Sequence, residues 1–514
     1  MTASHALSAE GALQPAGALI VDVNGPELTP EEGRLLSRHR FGGVCLFARN
    51  ITSPERTARL VRDLRDALGE HTLIATDQEG GAVLRRLDVP HPPSPMGLGA
   101  MRDAAAAREA GAVAARGLLD LGINWNFAPS LDLHDNPLNP VIGERSFGSD
   151  PGLVAELGVA WALGSEAAGV MSSVKHFPGH GDTQVDSHLD LPVVHKARAA
   201  LEAGEWRPFR AAVAAGVGSL MTAHILYPAL DPRRPATLSP AVLTDLLRQE
   251  WGYQGVVVTD AMDMRAIADR YPHGQAAPLS LTAGADAILV CGHGDHSLHT
   301  AHLGAVERAL RDGTLDEARL REALERLARA GRRFPGRAEP YDPAQRRLDE
   351  ARVRAWAQGS VTRWGNLRPL DPAADVLLLT PDLPDIGGPY GDSLHGEQLA
   401  AALRPYFPRL RHANHSQIDT RAARALLSSF PDAPALLATT TRWDLSPAQH
   451  ELAGQLALRG GQHLALWNPE HARALPLPAV VTYGYRPAQL EAAARVLLGG
   501  EAPGVLPLAE PTAV

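Results

Sequence analysis

Positions 175 to 188 read Lys-His-Phe-Pro-Gly-His-Gly-Asp-Thr-Gln-Val-Asp-Ser-His, which puts a lysine, three histidines and two acids into fourteen residues. No helix or strand face has a use for that mixture. Gly179 and Gly181 allow backbone angles that other residues resist, so the stretch reads as a shaped loop. Its chemistry is proton transfer and hydrogen bonding. Asp186 and His188 stand two apart, so in an extended loop their side chains project to the same side. The carboxylate can then hold one imidazole nitrogen and leave the other to act as acid and base. A structural Asp–His pair pinning the loop is the competing reading. A metal site built from His176, His180, Asp182, Asp186 and His188 is another, although the spacing follows no helix-borne ligand motif. Asp260, after the β-branched run Val256-Val257-Val258-Thr259, offers a carboxylate just beyond a strand end, suited either to nucleophilic attack or to capping a helix from Ala261. Asp263 is its neighbour one turn on and reads as an acid on a helix surface.

Those residues need strands to position them. Short apolar runs fall at 18–23, 43–47, 73–76, 124–128, 170–174, 219–223, 255–259 and 287–291. Patterns of helical spacing lie between most of them, at 102–121, 151–168 and 240–250 among others. Eight βα units over about 330 residues fit a (β/α)8 barrel. A doubly wound sheet gives the same alternation. Polar groups just past the strands sit where α/β enzymes keep their active sites. A polar segment rich in Pro and Arg at 335–347 reads as a linker. A helix at about 348–358 leads to further strand candidates at 375–380, 435–439, 463–467 and 479–482. The expected division is therefore residues 1–335, a connection at 336–370, and a smaller α/β sandwich at 371–514.

With 514 residues and 45% hydrophobic content, the chain can bury more than one core. A net charge of −9 supplies no basic footprint for nucleic acid. Two cysteines, Cys45 and Cys291, sit in apolar runs and exclude a disulfide framework. No apolar stretch reaches the ~18 residues of a membrane span, and the first residues lack a signal-peptide pattern. The expectation is a cytoplasmic protein, monomeric or weakly oligomeric, with no nucleic-acid or membrane partner and no cofactor.

The 175–188 stretch resembles the corresponding loop of β-N-acetylhexosaminidases of glycoside hydrolase family three. The resemblance continues at Asp77-Gln78-Glu79-Gly80-Gly81, Gly143-Glu144-Arg145-Ser146-Phe147-Gly148, Pro235-Ala236-Thr237-Leu238-Ser239 and Thr259-Asp260-Ala261-Met262. It covers roughly the first two thirds of the chain. It implies a barrel, followed by the sandwich domain of longer members, and a retaining glycosidase acting on terminal β-linked N-acetylglucosamine. It further implies Asp260 as nucleophile and Asp186–His188 as the acid/base dyad. Asp77, Arg85, Arg145, Lys175 and His176 become sugar ligands, and no metal is needed. The substrate would be a carbohydrate, such as a muropeptide or a chitin fragment. A glycoside phosphorylase on the same scaffold, and a β-glucosidase or xylosidase, remain as alternatives. The sequence departs from the family at Ala82, where members commonly carry arginine. His224 also follows a strand and reads either as support for the site or as a satisfied polar group.

Overall fold

The computed structural model describes residues 13–183, 190–381, 394–416, 419–441 and 444–509. Eight short strands are β1 (Leu19–Val21), β2 (Gly43–Cys45), β3 (Leu73–Thr76), β4 (Trp125–Asn126), β5 (Met171–Phe177), β6 (Ser219–Thr222), β7 (Val256–Val258) and β8 (Ile288–Val290). They run parallel in the order β7-β6-β5-β4-β3-β2-β1-β8. The ring closes between β7 and β8 through the Val258–Ala287 bridge, where Ala287 N donates to Val257 O and Thr259 N donates to Ala287 O, both at 3.0 Å. This is the expected (β/α)8 barrel, and each strand falls within its apolar run or overlaps it.

The strands are buried on both faces, which is why they read as continuous apolar runs rather than alternations. One set of side chains fills the barrel interior, including Ile20, Cys45, Ala75, Trp125, Phe127, Met221, Val258 and Leu289. Trp125 satisfies its indole N–H across that interior, donating to Ser219 Oγ at 2.7 Å. The other set packs beneath the helices. Helix Pro54–Leu68 shows how such a helix is specified. Ser53 caps it by accepting from Arg56 N, Pro54 opens it, Gly69 ends it, and Leu60, Val61, Leu64 and Leu68 form its buried stripe.

The seam between β7 and β8 has a second fastening. Asp286, fully buried, accepts from Val257 N at 2.9 Å, from Arg319 at 2.6 Å and from Arg326 at 3.1 Å, and also pairs with Arg248.

The second sheet has the order β11-β10-β12-β13-β14-β9. Its strands are β9 (Thr362–Trp364), β10 (Leu377–Pro381), β11 (Arg411–His415), β12 (Ala435–Thr439), β13 (Gln462–Ala465) and β14 (Ala479–Val481). Four were expected. The two unforeseen strands, β9 and β11, are its edges. An edge strand needs little apolar sequence, and Arg-His-Ala-Asn-His at 411–415 gives no strand signal. The connecting helix is longer than the apolar pattern indicated and spans Pro343–Ser360, because Asp342 caps it and Pro343 occupies its first turn. Its buried Asp349 ties it to the barrel through Arg116 at 2.8 Å.

Candidate active site

Every sequence-identified site residue within the described chain lies at the C-terminal end of a barrel strand or on the loop beyond it. Asp77 directly follows β3, and Arg85 is on the same loop. Arg145 occupies a single helical turn, Gly143–Arg145, in the excursion after β4. Lys175 and His176 are on β5, His224 follows β6, and Asp260 follows β7. Asp186 and His188 lie outside the described residues.

The sequence reading began the loop at Lys175, but β5 continues to Phe177. Leu131 N donates to Lys175 O at 2.6 Å and Ala223 N donates to Phe177 O at 2.7 Å, so the neighbours on both sides hold the extension in place. The register between β5 and β6 shifts between Val174 and Phe177, an irregularity that re-aims side chains at the strand's end.

Lys175 is nearly fully buried, which an ammonium tolerates only when paired. Its Nζ lies 2.9 Å from Asp77 Oδ1 and 2.7 Å from Glu79 Oε1. Glu79 also accepts both prongs of the Arg145 guanidinium, at 2.9 Å each. Arg85 NH2 reaches Asp77 Oδ2 at 3.3 Å. Two carboxylates and three cations thus form one network. Burial works against ionising Glu79, but Arg145 and Lys175 outweigh it and hold its carboxyl far below the usual range. For Lys175, burial pushes the pKa down, but Asp77 and Glu79 prevail and raise it. Both groups are therefore charged at neutral pH.

A second cluster surrounds Asp132, on the loop after β4. Its Oδ2 lies 2.6 Å from His176 Nδ1, and its Oδ1 accepts from His180 N at 2.7 Å. A carboxylate only accepts, so His176 Nδ1 carries a proton. Burial raises the pKa of Asp132, yet His176 more than compensates and lowers it. His180 Nδ1 is 2.9 Å from Thr183 Oγ1. Burial first, and then the neighbouring His176, push its pKa down to about 4, while Asp260 pulls the other way.

Asp260 does not cap a helix. The following helix starts at Arg265, and Asp260 Oδ1 accepts from its neighbour Ala261 N at 2.8 Å. His224 Nε2 donates to Ala261 O at 2.9 Å, and its Nδ1 lies 2.9 Å from Thr237 Oγ1, so it braces the peptide next to Asp260. Asp263 is not on a helix surface. It accepts from Cys291 N at 3.3 Å, tying the β7 loop to the β8 loop. Among the described residues, no group of three or more His, Cys, Asp or Glu is arranged to hold a metal ion.

The sequence reading missed Glu79 and Asp132. Glu79 lies inside a quoted motif but had no role assigned. Asp132 carried a signal: in Leu131-Asp132-Leu133 an acid stands between two buried leucines, just past a strand.

Residues 16–330 match the glycosyl hydrolase family 3 N-terminal domain. The chain belongs to glycosyl hydrolase family 3. It is a glycosidase, with the barrel and second sheet of that family's longer structures. It is 37% identical over 390 residues to β-hexosaminidase A of Pseudoalteromonas piscicida, a span of 69% of this chain and 65% of that one. It is 41% identical over 284 residues to the β-hexosaminidase of Alkalilimnicola ehrlichii, covering 54% of this chain and 81% of that one. A solved family 3 β-N-acetylglucosaminidase from Paenibacillus sp. str. FPU-7 superimposes with a TM-score of 0.90 at 34% identity over 100% of both chains. Among the described residues, no helix is long and apolar enough to cross a membrane.

Proposed function

We propose that the protein is a retaining β-N-acetylhexosaminidase that removes terminal β-linked N-acetylglucosamine. The observation that carries this reading is the Asp77–Glu79–Lys175–Arg145 network beside His176, at the same barrel end as Asp260, in a chain similar end to end to a β-N-acetylglucosaminidase. Such a network offers both donors and acceptors to sugar hydroxyls. Asp77 is its most accessible member; Glu79 is the buried counter-charge. With Asp132 on Nδ1, His176 presents Nε2 to the ligand.

In the first step the Asp260 carboxylate attacks the anomeric carbon and the glycosidic C–O bond breaks. His188 gives its proton to the departing oxygen, with Asp186 stabilising the imidazolium. In the second step neutral His188 takes a proton from water as the water displaces Asp260, and the sugar leaves with its configuration retained. His180, held neutral by burial, adds no positive charge beside the nucleophile. The same proposal takes residues 1–335 as the catalytic unit and 371–514 as the sandwich. It also makes the enzyme cytoplasmic, where two free buried cysteines suit a reducing compartment.

The test is a panel of aryl N-acetylglucosaminide, glucoside and xyloside, each with and without phosphate. Turnover confined to the N-acetyl substrate and indifferent to phosphate is expected. Sugar-1-phosphate formation would make the enzyme a phosphorylase. Preference for the glucoside would overturn the substrate assignment.

A further inference from the structure

Two loops of the barrel carry Glu79 and Arg145, and each is gripped at its tip by the second unit. On the first loop, Arg486 Nε donates to Gly81 O at 3.3 Å, and Ser94 Oγ donates to Tyr483 O at 2.7 Å. Ala82, between these contacts, is 2% exposed and belongs to the apolar cluster that holds Leu466, Trp467 and Tyr485 of the second unit. On the second loop, His134 Nε2 lies 3.1 Å from Glu470 Oε1, and Ser149 N donates to Pro507 O at 3.0 Å. Gly148 lies so close to the 507 carbonyl that a Cβ there would sit 2.4 Å from it.

The root of the first loop is fixed within the barrel. Gln78 N donates to Asn126 Oδ1 at 2.9 Å, and Gln78 Oε1 accepts from Arg85 N and Arg86 N at 2.9 and 3.0 Å. Its tip turns through Gly80 and Gly81, both at positive φ, and it is Gly81 O that accepts from Arg486 of the second unit. The Glu79–Arg145 pair then joins the two gripped loops to each other.

We propose that the second unit is a clamp that sets the sugar site. Arg486 and Glu470 are positioning residues, and Ala82 is the seat that lets the clamp close on Glu79. The clamp holds Glu79 and Arg145 in register and, through Glu79, fixes Lys175 and Asp77. This deepens the N-acetylhexosaminidase reading and rests on it. A side chain larger than alanine at 82, above all a charged one, would have to leave the apolar cluster and would open the clamp.

The test uses the full chain with Arg486→Ala, Arg486→Lys, Glu470→Gln and Ala82→Arg. Two readouts are taken: kinetics on the aryl N-acetylglucosaminide, and hydrogen exchange of the Glu79–Ser94 amides without ligand. Contacts made alike in ground and transition state appear in KM. Arg486→Ala is therefore expected to raise KM about tenfold, with kcat held within about threefold. Exchange should quicken at Gly80, Gly81 and Val83 but not in the strands of the second sheet. Arg486→Lys keeps a donor and should recover part of the loss. If Arg486→Ala loosens the whole second sheet, Ala82→Arg makes the same test from the barrel side. Unchanged KM and loop exchange in both variants would overturn the clamp, as would equal losses in kcat and overall stability with no loop-confined change. Exchange is read without substrate. A protein inactive on N-acetylglucosaminides that still shows the loop-confined change would refute the function and leave the clamp standing.

Discussion

Glu79→Gln is the sharpest perturbation of the site. The Glu79 side chain is wholly buried and faces Arg145 and Lys175, whose side chains are 5% and 3% exposed. The substitution keeps shape and one acceptor but removes the charge, leaving one acid, Asp77, against Arg85, Arg145 and Lys175. Removing one partner of a buried ion pair costs about 3–5 kcal/mol, because the remaining charge stays desolvated. The retained acceptor argues for the lower end, ~3 kcal/mol, or about two decades in the folded-to-unfolded ratio. In a catalytic unit of this size that corresponds to a fall of about 4–5 °C in the barrel's thermal transition. The effect should depend on pH. The pKa of Glu79 is depressed by folding, so its contribution is complete above the ordinary glutamate value near 4.5 and is lost as pH falls below that toward the folded value. Scanning calorimetry at pH 7 and across pH 3–4.5 should therefore show a gap between wild type and variant that narrows on the acid side. KM should rise as well, since Lys175 and Arg145 lose their shared anchor. A Tm equal to wild type, or a gap that ignores pH, would mean that Glu79 does not serve as the charged hub.

Three further outcomes are expected. Asp260→Asn should lower kcat by at least about three orders of magnitude with an unchanged melting transition, and near-normal turnover would move the nucleophile elsewhere. Asp132→Asn should weaken binding of N-acetylglucosamine about tenfold or more by freeing His176 and His180, which calorimetric titration with the sugar would read; unchanged affinity would make Asp132 purely structural. His188→Ala should fail most on natural disaccharides and least on activated aryl glycosides in the first chemical step, where mass spectrometry should catch a glycosyl group on Asp260; equal losses on both substrates would give His188 a positioning role.

The barrel strands were legible because each is buried on both faces, so a run such as Val256-Val257-Val258 stands out from its surroundings. The edges of the second sheet were not legible, because β11 needs almost no apolar residue. Asp77, Lys175, Arg145 and His176 could be picked out by type and motif. Their partners could not. Glu79 and Asp132 act by accepting from those groups across 66 and 44 positions, and such pairings arise only once the loops fold together. Lys175 shows the limit of a local reading. At the head of a glycine-bearing polar stretch it reads as loop, yet Pro129 and Leu131, just past β4, draw its backbone into the ladder.

The seam between β7 and β8 is fastened along its length and again at its foot. Asp260 follows β7, which has a ladder to β6 on one flank; on the other, Asp286 N and Ala287 N donate to Val257 O, Thr259 N donates to Ala287 O and Met262 N donates to Leu289 O. That flank is kept shut from the far end of the barrel, where three arginines draw on Asp286 and its carboxylate holds the amide of Val257. The strand is therefore held at its foot as well as beside Asp260. Loosening the foot would slacken the loop that carries Asp260 without altering any residue of the candidate site. A stretch of chain commonly valued for stability alone then governs how still the Asp260 carboxylate is held.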